Sequence, residues 1–137
     1  MIRTIHASPQ ETAERKALWR RIKQMYEWFN QELWEKCFSL IDPQLVERSG
    51  VHLPVYCETL QTFKKTYGRV RPWHIRINLH LDASSNKHDK RPFAYVYVVW
   101  QDDSHGFHMF RERWIKHDGK WFTRVVGLVV NQQEQAN

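Results

Sequence analysis

Apolar residues recur at helical spacing in the first part of the chain. Four of them are separated by four, three and four positions, which places them on one stripe of a helix. The stripe consists of Leu18, Ile22, Met25 and Phe29. Before it stand an N-cap hydroxyl, a proline at the first helical position and a capping-box carboxylate, which are Ser8, Pro9 and Glu11. The pattern therefore predicts a helix that begins near residue 9.

A second apolar set continues this spacing until Asp42 and Pro43, because proline disfavours helix at the residue before it. Its members are Leu33, Trp34, Cys37, Phe38 and Ile41. The spacing fits either one bent helix or two helices over residues 9–41. After a short polar connection, Pro54 predicts the start of another helix, and Gly68 supplies its C-cap. The buried stripe of that helix is Tyr56, Leu60, Phe63 and Tyr67.

From Gly68 onward the apolar period becomes that of a strand. Apolar and polar residues alternate up to Asp82, which predicts a strand with one buried face. The apolar positions are Trp73, Ile75, Ile77, Leu79 and Leu81. Residues 83–90 are polar and predict a loop. Residues 93–100 are almost all apolar, β-branched or aromatic, which predicts a central strand covered on both faces.

Asp118 and Gly119 predict a two-residue hairpin of type I′ between strands over 107–116 and 120–130. Such a turn fixes the register, which pairs His117 with Lys120, Trp114 with Thr123, Glu112 with Val125 and Phe110 with Gly127. One face then carries His108, Phe110, Glu112, Trp114, Trp121, Val125 and Val129. The other carries Phe107, Met109, Arg111, Arg113, Ile115, Phe122, Arg124, Val126 and Leu128. Because three arginines would repel one another in a core, we expect the second face to point outward.

These elements predict a single α+β domain over residues 1–137, with N-terminal helices followed by a four-strand antiparallel sheet. Its ordered core spans about 9–130, and residues 131–137 form a polar tail. Hydrophobic residues make up 42% of the chain and aromatic residues 14%, which is enough for a packed core. The sequence has neither a signal-peptide pattern nor an apolar run of membrane-spanning length, so we expect a cytoplasmic protein that does not contact a membrane.

The net charge of +6 arises from one segment, because basic and acidic residues cancel over 1–60 and over 93–137. The basic residues of that segment are Lys64, Lys65, Arg69, Arg71, Arg76, Lys87, Lys90 and Arg91, which face Asp82 and Asp89. Segment 64–91 could attract an anion or RNA, with Lys64, Lys65, Arg69, Arg71 and Arg76 as the contacts. The alternative is a solvated helix end and loop. Burial of Trp73 in the predicted strand argues against a stacking role for its ring.

The order of elements resembles that of the NTF2-like (SnoaL-like) superfamily over about residues 10–130. The motif that accompanies this order is Trp114, Ile115, Lys116, Asp118, Gly119, Lys120 and Trp121. The resemblance implies a curved sheet that wraps around the helices as a cone and encloses a pocket, and it implies a homodimer through the outer sheet face. Activities in the superfamily vary, and no residues here match the acid/base pairs of its enzymes. The resemblance therefore assigns no catalytic role and no cofactor.

Glu112 is the candidate catalytic residue. If the aromatic face points inward, Glu112 is desolvated, its pKa rises, and it can act as an acid or base. The alternative is a bulge that turns Glu112 outward toward an arginine. The candidates for lining a small-ligand pocket are His108, Phe110, Trp114, Tyr95 and Tyr97, although aromatic residues in a central strand are more often core packing.

The outward face groups four apolar residues at one end, and a homodimer through the sheet would cover them. They are Phe107, Met109, Val126 and Leu128. The alternative is that another part of the chain lies over them. We predict no metal site, because a strand sends His105 and His108 to opposite faces. Cys37 and Cys57 are predicted to be reduced core thiols.

Three hypotheses about function follow. The first is an NTF2-like domain that binds a small, partly apolar ligand in its cone and forms a homodimer, with enzymatic turnover left open. The second is an interaction module without chemistry, whose cone is filled by its own side chains. The third is an anion or RNA binder that uses segment 64–91.

Overall fold

A computed structural model describes residues 8–124 of the chain. The helices come first and are α1 (Pro9–Asn30), α2 (Trp34–Phe38), α3 (Pro43–Ser49) and α4 (Leu53–Tyr67). The strands follow and are β1 (Arg71–His80), β2 (Phe93–Gln101), β3 (Phe107–His117) and β4 (Lys120–Thr123). They form one antiparallel sheet in the order β1-β2-β3-β4. The predicted α+β class, with helices before a four-strand meander, is confirmed.

Helix α1 begins as the sequence predicts, because the Ser8 hydroxyl accepts a hydrogen bond of 3.1 Å from the backbone N–H of Glu11. The helix ends at Asn30, and a turn with Glu32 at φ 60° separates it from α2. Residues 9–41 therefore form two helices rather than one bent helix. In the part of the chain that the structure describes, no helix is long and apolar enough to cross a membrane.

Helix α3 lies within the stretch that the sequence predicts to be a connection. Pro43 occupies its first turn, the side chain of Asp42 accepts from the backbone N–H of Gln44 at 3.2 Å, and Gly50 at φ 67° ends it. The prediction of a connection was wrong here because the Asp42–Pro43 pair that ends one helix also starts the next. Helix α4 begins one residue before Pro54, and Gly68 at φ 73° follows its last turn.

The hairpin between β3 and β4 has the predicted turn, since Asp118 and Gly119 have φ of 49° and 79°. The predicted pairs His117 with Lys120 and Trp114 with Thr123 are confirmed. Strand β4 is described to Thr123. The other two predicted pairs, Glu112 with Val125 and Phe110 with Gly127, lie outside the described residues, as do Val126, Leu128 and the tail.

Strand β1 contains a bulge, and it changes the prediction for one side chain. Pro72 pairs with Trp100 and His74 pairs with Val99, so Trp73 is the extra residue between them. Trp73 is 65% exposed and its ring contacts Phe107 on the outer face of the sheet. The prediction that Trp73 belongs to the buried face was therefore wrong, because the bulge interrupts the alternation beside a proline.

The helices pack against the inner face of the sheet. The largest side chains that this core buries completely are Trp100, Trp114, Trp121, Tyr26, Phe63 and Phe110. Glu112 points into the same core and is 0% exposed, so the aromatic face is inward as predicted and the alternative outward turn of Glu112 was wrong. Arg111 lies on the opposite, exposed face.

Residues 40–42 run beside β4 and pair with it through Thr123, whose backbone N–H donates to Leu40 O at 2.7 Å. This contact brings Asp42 to the centre of an ion cluster, here called the Asp42 cluster. Its members are Asp42, Asp89, Arg91, His117 and Arg124. Burial would raise the pKa of Asp42, but hydrogen bonds from Arg91 and Arg124 outweigh burial and lower it.

Two basic residues are therefore placed differently from the prediction. Arg124 was expected on the outward face with the other β3 and β4 arginines, but its guanidinium donates to Asp42 at 2.7 Å. Arg91 was expected to be part of a free basic segment, but its guanidinium donates to Asp42 and to Asp89 at 2.7 to 2.9 Å. Both arginines form ion pairs with buried or half-buried carboxylates. These ion pairs hold the loop before β2 against the hairpin.

Candidate functional site

Glu112 is a buried acid on the inner face of β3. The hydroxyl of Tyr26 in α1 donates to its Oε1 at 3.3 Å, and its Oε2 has no hydrogen-bond partner. Burial raises the pKa of Glu112 to about 7, and the nearby Trp114 indole and Tyr26 hydroxyl lower it only in part. The carboxyl group can therefore gain or lose a proton near neutral pH.

Three indole N–H groups share this inner face and are buried without a hydrogen-bond partner, namely those of Trp100, Trp114 and Trp121. The Trp114 indole is close enough to Glu112 to lower its pKa but falls short of hydrogen-bond geometry. A buried polar group without a partner costs roughly 1–3 kcal/mol, so a small polar molecule that reached one of these groups would recover part of that cost.

The other predicted pocket residues do not join Glu112 in one site. His108 bonds Asp102 through Nε2 at 2.7 Å and stacks on the Trp100 ring, with ring centroids 4.3 Å apart. Phe110 lies between His108 and Glu112 on the inner side of β3 and is fully buried. The two tyrosines of β2, Tyr95 and Tyr97, lie on the outer face. The prediction that they line an interior pocket was wrong, because β2 alternates and its inward residues are Ala94, Val96, Val98 and Trp100.

The outer face of the sheet forms a second candidate site. Its side chains lie in five rows across β1, β2 and β3. The rows are Arg71–Gln101–Phe107, His74–Val99–Met109, Arg76–Tyr97–Arg111, Asn78–Tyr95–Arg113 and His80–Phe93–Ile115. These outward positions include four arginines and two histidines, and none of them is Asp or Glu. The arginines lie in three of the five rows, and Arg71 at one end is paired with Asp103.

An arginine lies over each of the three aromatic rings that β2 presents on the outer face. The guanidinium carbon of Arg76 is 4.6 Å from the Tyr97 ring centroid, that of Arg111 is 5.6 Å from Tyr95, and that of Arg113 is 4.9 Å from Phe93. Cation–π contacts of this kind hold the guanidinium groups close to the sheet. They combine positive charge with planar surfaces that can stack.

One end of the outer face is open. Phe107 and Met109 are 57% and 60% exposed, and Trp73 lies beside them. The indole N–H of Trp73 donates to Gln101 at 3.0 Å, and the amide of Gln101 donates to His105 O at 3.3 Å. The Trp73 ring is therefore exposed and also fixed in orientation. At the other end of the face Ile115 is fully buried.

The predicted basic segment 64–91 does not form one surface. Lys64 donates to the carbonyl of Asn30 at 2.7 Å, and Arg71 pairs with Asp103 at 3.7 Å. Arg76 is the member that lies on the outer face near its centre, where it is joined by Arg111 and Arg113 from β3. The sequence pattern of β3 already places those two arginines outward, but linear charge counting does not connect them to Arg76.

Another basic surface lies on α1, where shallow hollows flank the partly exposed Trp19. The hollows are lined mainly by Arg15, Lys16, Arg20, Lys23 and Glu27. The carboxylate of Glu27 offsets part of its charge, and the guanidinium of Arg15 donates a hydrogen bond of 2.7 Å to the carbonyl of Ile77. This surface is the natural control for the outer face.

Within residues 8–124 there is no group of three His, Cys, Asp or Glu side chains that could hold a metal ion. Cys37 and Cys57 are both free thiols; Cys37 lies in the core as predicted, whereas Cys57 is only partly buried. Burial raises the pKa of the Cys37 thiol to about 12, which makes it unreactive at neutral pH.

Comparison of the chain with protein-family models, with curated proteins and with solved structures gives no match. Its function must be inferred from its own residues.

Proposed function

We propose that this chain is a binding module that holds an anionic macromolecule on the outer face of its sheet. The observation that carries the proposal is the composition of that face, whose five rows across β1, β2 and β3 contain four arginines and no carboxylate. A surface with an excess of positive charge attracts an anionic partner and steers its approach. Arg76 is exposed near the centre of this face, where a partner can reach it.

The exposed apolar end of the face supports a role in binding. Trp73, Phe107 and Met109 lie together and are each more than half exposed. Monomeric proteins rarely leave a contiguous apolar patch uncovered unless it contacts a partner. A patch of this kind beside arginines fits a partner that presents both negative charge and apolar surface.

A second copy of the chain fits this face less well. A twofold interface places the same patch against itself, so the arginines of one copy would meet those of the other. The outward positions that the structure describes in β1, β2 and β3 include no carboxylate to compensate for that repulsion. Like charges brought together in an interface cost affinity. The predicted homodimer therefore remains the competing occupant, and the experiment below includes it.

Membership of the NTF2-like superfamily and a cytoplasmic location are part of the same proposal. The order of four helices before a four-strand meander supports the first. The two free cysteines support a reducing compartment. We assign no enzymatic activity to the outer face.

The test is retention of the purified protein on immobilised heparin, eluted with a NaCl gradient. The face variant replaces Arg76 and Arg111 with Gln. The matched control replaces Lys16 and Lys23 of α1 with Gln and so removes the same net charge from the other basic surface. The face variant should elute at clearly lower salt than the wild type, and the control should elute close to it.

Equal shifts in both variants would mean that retention reports net charge alone, and a larger shift in the control would assign binding to α1. Either result overturns the proposal. Native mass spectrometry in the same buffers reports the subunit count. A stable dimer that Trp73→Ala dissociates would assign the face to self-association instead.

The second candidate function is a small-ligand site at Glu112, and a specific observation favours it. The unpaired Oε2 of Glu112 and the unpaired indole N–H of Trp114 lie on the same inner face. A small molecule with one polar group would satisfy both groups. Because Glu112 is 0% exposed, such a ligand would be enclosed during folding or admitted by a transient opening. Extra mass retained by the wild type in native mass spectrometry and absent in Glu112→Gln would support this site; identical bare masses would exclude it.

A further inference from the structure

We propose that His117 is a pH-sensitive switch, whose protonation breaks its contact with Arg91 and loosens the loop before β2 from the hairpin of β3 and β4. The contact lies at the end of β3 opposite to Phe107, so the proposal does not depend on what the outer face binds. It depends on which of the two side chains donates the hydrogen bond between them.

The hydrogen bond between Arg91 and His117 has only one possible direction. Nη1 of Arg91 lies 3.0 Å from Nδ1 of His117. A guanidinium group has donors but no acceptor, so Nδ1 must accept and must carry no proton. The neutral ring then holds its proton on Nε2, which lies 3.4 Å from a carboxylate oxygen of Asp118. A second proton on the ring would place two donors against each other.

The surroundings of His117 do not compensate for an added positive charge. The charged groups that the contacts place near this ring are Asp42 and Asp89 with Arg91 and Arg124 in the Asp42 cluster, Asp118 with Lys120 in the hairpin, and, from the side of α1, Glu14 paired with Lys116, and Arg21 over the Phe122 ring. These are four acids and five bases. The direct contact with the Arg91 guanidinium therefore decides the effect of a proton on His117.

The carboxylates that hold Arg91 stay charged while a histidine titrates. A histidine gains its second ring proton between about pH 8 and 5. The pKa of Asp89 is lowered to about 2, chiefly by the hydrogen bond from Arg91, and the pKa of Asp42 is lowered because hydrogen bonds from Arg91 and Arg124 outweigh burial. As the pH falls, Arg91 therefore stays bound to both carboxylates. The contact that is lost is the one with His117, since it exists only with the neutral ring.

Loss of this contact weakens the junction between the loop and the hairpin. A second contact joins the same two parts, because the backbone N–H of Lys116 donates to Pro92 O at 2.8 Å. Lys116 precedes His117 and Pro92 follows Arg91, so the two contacts are adjacent along both segments. When His117 is protonated, the bond between Lys116 and Pro92 should open more often, while the Asp42 cluster keeps Arg91 in place.

The experiment measures hydrogen exchange of the Lys116 amide by NMR at about pH 7.5 and 5.5, with each rate corrected for the intrinsic chemical rate. The protection factor of the wild type should be about tenfold lower at the lower pH, the size expected for one charge-assisted hydrogen bond. His117→Asn places an acceptor oxygen near the position of Nδ1 and cannot gain the proton. Its two protection factors should therefore agree within about twofold.

The matched control is His88→Asn, which removes an exposed histidine from the same loop. This variant should keep the tenfold change. Glu112 also titrates in this range, because burial raises its pKa to about 7, but it is present in all three proteins and its effect cancels in the comparison. Far-UV circular dichroism verifies that each variant is folded.

A second measurement needs no variant. Proton–nitrogen correlation spectra of the imidazole rings report which ring nitrogen carries the proton, and near neutral pH the proton of His117 should be on Nε2. A proton on Nδ1 would exclude the contact with Arg91 and overturn the proposal. The proposal is also wrong if the wild-type protection of Lys116 is the same at both pH values, if His117→Asn keeps the tenfold change, or if His88→Asn loses it.

Discussion

The hydroxyl of Tyr26 in α1 donates a 3.3 Å hydrogen bond to the carboxyl group of Glu112 in β3, where neither residue is accessible to water. This pair joins the first helix to the third strand over 86 positions of sequence. The pKa of the Tyr26 hydroxyl is raised, first by burial and then by the neighbouring Glu112 carboxylate. The interior is thus held together at a group whose charge depends on pH.

Glu112 should make stability fall as the pH rises toward neutrality. Burial raises its pKa from 4.5 to about 7, so the unfolded chain loses this proton at a lower pH than the folded one. Below pH 4.5 Glu112 makes its full contribution to the free energy of unfolding. That contribution declines by about 3 kcal/mol between about pH 4.5 and 7, and it is constant at higher pH. In Glu112→Gln that decline should be absent from urea denaturation curves measured across this range. The exposed Glu58→Gln is the control, and a Glu112→Gln profile parallel to that of the wild type would contradict the prediction.

The Asp42 cluster should be the most sensitive polar feature of the fold. The side chain of Asp42 is 0% exposed and accepts hydrogen bonds from Arg91 and Arg124. Asp42→Asn leaves two arginines without their buried counter-charge, which should lower the free energy of unfolding by about 3 kcal/mol. Urea denaturation followed by circular dichroism measures this. Asp118→Asn, at a side chain 91% exposed, should change it by less than about 0.5 kcal/mol; similar losses in both variants would argue against the cluster.

Gly68 should tolerate a side chain less well than Gly50. Both have positive φ, 73° and 67°, so alanine is strained at either position. Only at Gly68 of these two would the new Cβ collide with Asp103, whose carboxylate accepts from the backbone N–H of Arg69 at 3.0 Å. Gly50→Ala should cost about 1 kcal/mol, the strain of the left-handed conformation, and Gly68→Ala should cost about 2 kcal/mol or more. Thermal and urea denaturation of the two variants provide the comparison, and equal losses would rule out the collision as a cause.

The two cysteines should differ in reactivity. Cys37 is buried and burial raises its pKa to about 12, whereas Cys57 is partly exposed. Iodoacetamide at neutral pH should therefore add one label to the folded protein, on Cys57, and two to the unfolded protein. Intact mass spectrometry counts the labels. Cys57→Ser should remain unlabelled while folded, and rapid labelling of Cys37 in that variant would show that the core opens more readily than its packing indicates.

The sequence predicted the long elements because their period is carried by many residues. The stripe of α1 and the alternation of β3 each persist over several turns or pairs, and the Asp118–Gly119 turn fixed the register of the hairpin. Helix α3 could not be found in the same way, since none of its seven residues is buried and no apolar stripe marks it. A helix that short is identified by its caps alone.

The candidate site was only partly predictable for a similar reason. The outward direction of Arg111 and Arg113 follows from alternation within β3. Their proximity to Arg76 depends on the register between β1 and β2, which a loop rather than a tight turn connects, so no local rule fixes it. The exposure of Trp73 depends on a bulge whose position is set by the backbone of the whole sheet. These non-local features are the ones that assemble the outer face.

The Asp42 cluster also bears on how the protein leaves its folded state. Arg91 lies 49 positions and Arg124 lies 82 positions from Asp42 along the chain, so the cluster can close only after the sheet has assembled. Contacts that form after the rate-limiting step of folding affect the unfolding rate much more than the folding rate. The cluster therefore slows unfolding and lengthens the lifetime of the native protein. Slower unfolding also exposes the chain to proteases less often.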